Sequence, residues 1–223
     1  MNPIKVALAA VASLSALSAV PAGAVTINNP TNSYGFAYLT GGTGTAYVGQ
    51  TFTSPIAGNL TNFQFTLNTS TLGSLYGVVF GWDGANPTQE LWRSSVVAAT
   101  PGLHNFNPTG VALEQGATYV AFLATYGLDG NSGQATVGSC LTFVGCNSNA
   151  IPNLGTLVWG NVYPDGVIFT PSINNSYDAT FSATIEAAAV VPEPASWALM
   201  IGGIVAAGAA MRRRKAAVSV RYA

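Results

Sequence analysis

The chain has 223 residues, 49% of them hydrophobic and only 7% charged, with 7 Lys+Arg against 8 Asp+Glu. Charge this sparse argues against nucleic-acid binding, which needs a dense cationic face to displace counterions. One His and two Cys rule out zinc-finger and zincin chemistry, so no metal and no cofactor is expected.

At the N-terminus Lys5 precedes an apolar run over 6–20 built only of Ala, Val, Leu and Ser, and Pro21-Ala22-Gly23-Ala24 follows. A positive start, an apolar stretch and a small-x-small site in this order predict a secretory signal peptide over 1–24, with Ala22 and Ala24 at the cleavage site. The competing reading is a buried N-terminal helix. A leader of this type implies the Sec translocon and a signal peptidase as partners.

The strands come next along the chain. The segment 25–191 carries one base, Arg93, and seven acids, so its surface must be Thr, Ser, Asn, Gln and Gly rather than charge. Residues 62–67 and 179–186 alternate apolar and polar side chains without a break, the pattern of strands with one face in a core and one in water. Further strands are predicted over 46–53, 75–82, 89–98, 118–125, 155–159 and 166–170. Turn signals such as Ser54-Pro55, Asp83-Gly84, Pro101-Gly102, Asn107-Pro108 and Asp129-Gly130 separate them. No stretch of this segment sustains a helical period. The expected fold is all-β, an antiparallel β-sandwich of jelly-roll-like type, flanked by an N-terminal signal helix and a C-terminal transmembrane helix.

The two cysteines, Cys140 and Cys146, are expected to close a short disulfide loop in an exported chain. His104 lacks a Gly-x-Ser-x-Gly elbow, and no acid lies close to it in sequence, so the lone imidazole reads as an ordinary loop residue. Paired carboxylates for glycoside hydrolysis have no local support among scattered acids, which leaves a glycan-active hydrolase as the weakest reading. Carbohydrate binding is the stronger alternative. Trp82 can stack on a sugar face while Asp83 and Asn86 bind hydroxyls, against the plainer readings of core packing and turn chemistry. Asp129-Gly130-Asn131 offers oxygens to calcium but lacks the spacing of a dedicated loop.

Residues 195–211 form an uncharged run at the short end of the ~17 to 25 residues that cross a bilayer. Arg212, Arg213, Arg214 and Lys215 follow and would hold that end on the cytoplasmic side, with a short tail over 216–223. Ahead of the run, Pro192-Glu193-Pro194 denies a helix its start until after Pro194 and leaves an extended peptide for an enzyme to meet. Proline-glutamate-proline, a short apolar helix and a basic cluster over 192–215 resemble the PEP-CTERM sorting signal of exopolysaccharide-producing Gram-negative bacteria. That resemblance implies exosortase as processing partner, a precursor in the inner membrane and a mature domain at the cell surface or in the matrix, associated with exopolysaccharide and biofilm. The eight residues after the basic cluster make a longer tail than many members carry. The segments Val48-Gly49-Gln50-Thr51-Phe52-Thr53 and Leu113-Glu114-Gln115-Gly116-Ala117-Thr118-Tyr119 look like the β-sandwich ectodomains found ahead of bacterial C-terminal anchors. The expected function is therefore an exported, non-enzymatic surface or matrix protein.

Overall fold

The computed structural model describes residues 23–42, 44–141, 151–161, 171–188 and 194–213. Residues 1–22 of the leader expected over 1–24, the strand expected over 166–170, Cys146, Pro192, Glu193, Arg214, Lys215 and the tail lie outside the described residues. The chain divides into a unit of residues 22–188 and a second made of the two termini.

Among the described residues the first unit consists of two antiparallel sheets, as the alternating pattern predicts. One has eight strands: β1 (Ala24–Asn29), β15 (Phe181–Ala187), β4 (Gly58–Ser70), β11 (Gln134–Leu141) and β14 (Tyr177–Ala179) in order, with β2 (Tyr34–Thr40) on β11 and β8 (Gly102–Phe106) and β9 (Ala112–Leu113) on β4. The other has seven: β13 (Ser172–Asn174), β12 (Leu154–Gly160), β3 (Tyr47–Thr53), β10 (Thr118–Ala124), β5 (Ser74–Trp82) and β6 (Pro87–Arg93), with β7 (Val97–Ala98) on β5.

The two most regular alternating stretches of the sequence are neighbours. Phe65 lies opposite Phe181, Gln64 opposite Ser182, Phe63 opposite Ala183 and Asn62 opposite Thr184. Their apolar sets point the same way, and a one-residue slip would turn both to solvent. The main core between the sheets takes Phe63, Phe65 and Phe181 from one side and Val48, Phe52 and Leu75 from the other. Phe52 and Phe181 meet across the gap with ring centroids 5.8 Å apart.

Three differences from the sequence expectation have local causes. The strand expected over 89–98 breaks in two because Ser94 turns to Gly77, whose N–H donates to the Ser94 hydroxyl at 2.9 Å while the Ser94 N–H donates to the Gly77 carbonyl. The stretch 179–186 bends at Thr180, whose N–H and hydroxyl are drawn to the carbonyls of Gly138 and Thr31. His104 is not in a loop but inside β8, opposite Phe65.

β3, β5 and β10 are buried on both faces. Their near-continuous apolar runs are the composition of two-faced strands. The second face carries its own cluster, including Tyr47, Tyr76, Val78, Val120 and Phe122. Here β3 and β10 approach so closely that a Cβ on Gly49 would lie 2.2 Å from the Ala121 carbonyl oxygen. The hydroxyls of Tyr47 and Tyr76 are 3.3 Å apart, Tyr76 also donates to the Tyr126 carbonyl, and the Arg93 guanidinium sits 4.8 Å over the Tyr76 ring.

Burial, reinforced by the hydrogen bond to Tyr76, pushes the Tyr47 hydroxyl far above the ordinary tyrosine range, and burial raises Tyr76 as well. Above about pH 10 the unfolded chain releases both protons while the folded chain keeps them, so stability falls as pH rises through the ordinary tyrosine value. Urea midpoints that drop between neutral and strongly alkaline pH, with tyrosinate absorbance rising only as the protein unfolds, are the expected result. Tyr47→Phe should soften that drop.

One polar device joins the two sheets. Gln50 on β3 is fully buried, as is all but 3% of Asp178 on β14. The Gln50 amide donates to the Asp178 carboxylate at 2.9 Å and accepts from the Ala179 N–H at 2.8 Å. Gln50→Leu removes one donor to a buried carboxylate and the acceptor of a buried N–H, a loss of about 3 kcal/mol. Thermal denaturation should then shift down by roughly 6 to 12 °C for a domain of this size.

The second unit contains α1 (Pro194–Arg213), a 20-residue helix where the apolar run predicts one. Pro194 stands at its first position, where the missing N–H costs nothing. Among the described residues no helix is long and apolar enough to cross a membrane, so the transmembrane span expected over 195–211 is not confirmed. Gly202, Gly203, Gly208 and the alanines around them add little apolar surface per turn, and the last turn already carries Arg212 and Arg213.

Candidate functional site

Three places in the first unit had chemistry to offer, and each is tied into the fold. Trp82 ends β5 and is half-buried against the second apolar cluster, while Trp92 meets the Phe63 ring edge-on at 5.9 Å. After Trp82 the chain reverses through Gly84, at φ 104°, and returns at Pro87. One Asp83 carboxylate oxygen accepts from the N–H groups of Ala85 (2.8 Å) and Asn86 (2.6 Å). Those donors hold the Asp83 carboxyl below its usual range. Asp83 therefore serves its own turn, and Asn86 supplies that turn's backbone rather than a separate polar pocket.

His104 is buried, and its Nε2 lies 2.7 Å from the Thr100 carbonyl oxygen. The imidazole fastens the Pro101-Gly102 turn to the strand that follows, a role the sequence hides because His104 and Phe106 are the only inward residues of a short strand. Among the described residues no group of three or more His, Cys, Asp or Glu side chains is placed to hold a metal ion.

Asn131 is the centre of a clamp. Its side-chain oxygen accepts from the N–H groups of Gly73 (3.1 Å) and Ser74 (3.2 Å), and its amide donates to the Ser74 carbonyl (2.8 Å). These are the bonds a neighbouring strand would make, so the Asn131 oxygen suggested for calcium is spent on the start of β5. Gly130 and Gly133, at φ 70° and 99°, let the loop turn sharply enough to aim Asn131 inward.

Cys140 is fully buried in β11, with the Asn29 amide donating to its sulfur at 3.3 Å. Ala24, the last residue of the expected leader, already pairs with Glu186 as the first residue of β1.

In the C-terminal unit Pro194 opens α1, Arg212 is exposed in its last turn, and Trp197, Leu199 and Ile204 are exposed along it. Residues 190–215 match the PEP-CTERM protein-sorting motif. The PEP-CTERM segment marks the chain for export and for sorting by exosortase. It occupies a small part of the chain and leaves the β-sheet unit unassigned. No curated protein matches the chain.

Two solved structures are similar to it. The cysteine protease and lectin-like domains of Cwp84, a surface layer associated protein of Clostridium difficile, match at 9% identity and a TM-score of 0.47 over 74% of this chain and 36% of that one. The clostridial cysteine protease Cwp84 after propeptide cleavage matches at 8% identity and a TM-score of 0.48 over 74% of this chain and 40% of that one. The chain thus spans two fifths or less of each of those proteins.

Proposed function

We propose that this is a non-enzymatic surface or matrix protein of an exopolysaccharide-producing cell. Its jelly-roll-like β-sandwich is delivered by an N-terminal leader and held in the inner membrane as a precursor, with Arg212–Lys215 cytoplasmic, until exosortase acts near Pro192-Glu193-Pro194. The observation that carries this reading is the sorting match over 190–215, whose parts fall on the ends of α1: the helix opens at Pro194 and closes on Arg212 and Arg213. A non-catalytic sandwich is supported by the engagement of His104 with Thr100 and of Asp83 with its own turn. A Cys140–Cys146 disulfide belongs to the same reading, since a thiol matured outside the cytoplasm beside a second cysteine is readily oxidised. The test is the mass of the mature protein recovered from the cell surface. It should lack both 1–24 and everything after the proline-glutamate-proline site, and should gain the mass of two hydrogen atoms on reduction. A mature chain that retains α1 would overturn the sorting reading.

A further inference from the structure

We infer that the outer face of the eight-stranded sheet, centred on Gln64, is a binding site for a neutral polysaccharide. β1, β15, β4 and β8 lie side by side there, with Ile27, Ala183, Phe63 and Phe65 turned into the core. The residues between them face outward. Register places Asn28 opposite Ser182, Ser182 opposite Gln64, and Gln64 opposite Asn105, one row across four strands. At strand spacing that row is about 14 Å long, and it is made only of amides and a hydroxyl.

The row above it is satisfied from within. Thr26 and Thr184 share a hydrogen bond at 3.1 Å, and the Asn62 amide donates to Asn105, to Asn107 and to the Phe106 carbonyl. The centre differs. A depression of about 230 Å³ opens over Asn28, Gln64, Thr66, Ser182 and Leu103. Among the described residues, the side chains of Asn28, Gln64, Thr66 and Ser182 make no hydrogen bond, although Gln64 and Thr66 are half-buried. Half-withdrawn polar groups without protein partners are the feature that calls for a ligand or bound water.

The chemistry selects the ligand. A carboxamide presents a donor and an acceptor side by side, which suits two adjacent hydroxyls of a sugar, and Leu103, 63% exposed, offers an apolar edge to the C–H face of a ring. No charged side chain lines the depression, so a phosphate, a uronate or a basic peptide finds no counter-charge. A protein partner would need aromatic anchors that the depression does not expose. A polyhydroxylated, uncharged chain meets every group present. The site belongs to the opposite sheet from Trp82 and does not rest on the sorting reading.

The test is binding of the full chain in detergent to immobilised dextran, hydroxyethylcellulose and galactomannan, with alginate as the anionic comparison. Binding to at least one neutral polymer and none to alginate is expected. Gln64→Ala and Asn28→Ala should each weaken it roughly five- to tenfold, with unchanged circular dichroism and melting, while Trp82→Ala leaves it intact. Absence of binding to all the neutral polymers, equal binding to alginate, or full binding by the Gln64→Ala, Asn28→Ala double variant overturns the inference. Loss of binding on Trp82→Ala alone moves the site to the β5–β6 hairpin and overturns it as well.

Discussion

Glu193→Ala should leave the precursor uncut and membrane-held. Between Glu186 and Arg212 it is the only charged residue, so an enzyme working at the membrane surface has a single ionic handle on this stretch. Pro192 and Pro194 frame it. A proline restrains the residue before it away from helical geometry, and α1 begins at Pro194. Loss of the carboxylate removes recognition without disturbing the sheets, whose last strand ends at Ala187. A blot of cell fractions should show the full-length band rising at least tenfold in the membrane and the mature band disappearing. Glu193→Asp should process slowly, and Glu186→Ala normally. Normal processing of Glu193→Ala would end the exosortase reading.

The largest stability loss is expected from Phe63→Ala. Phe63 is fully buried on β4, stacks on Phe106 at 5.0 Å, and meets Phe65 and Trp92 edge-on at 6.2 and 5.9 Å. Trp92 belongs to the opposite sheet, so this ring fills the space between the layers rather than covering one of them. Its removal costs about 4 kcal/mol from lost burial and the cavity left behind, since neighbours held by two strand ladders cannot collapse inward. The melting temperature should fall by roughly 8 to 16 °C. Gln64→Ala, one residue away on the outward face, should stay within about 0.5 kcal/mol of the parent. Equal effects at the two positions would mean that the register of β4 is not as described.

Several elements were readable in advance, and the reason is local. Residues 62–67 and 179–186 announce strands because their alternation needs no knowledge of a partner. The sorting segment is readable for the same reason, being contiguous and recognised as a peptide. Other elements were missed because their pattern is completed by distant residues. β2 and β11 share a bulge between Val137 and Ser139, which breaks the alternation a sequence reading looks for. Gln50 looks like a surface residue between Gly49 and Thr51, and only the arrival of Asp178 from the other sheet makes its burial tolerable. At Trp82 an aromatic beside Asp-Gly-Ala-Asn resembles a sugar platform in sequence, and only the structure adds the apolar cluster beneath the ring.

The sequence by itself determined the sorting address and the charge-poor character of the exported unit, because a proline-framed glutamate, an apolar run and a basic end act as local chemistry in one contiguous segment. Tertiary structure alone decided which uncharged polar residues share a face. Asn28, Gln64, Asn105 and Ser182 are spread over most of the chain and become one row only through the pairing of four strands. Register between distant segments is set by burying Phe63, Phe65, Phe181 and Ile185 together, and no short stretch of sequence contains that condition.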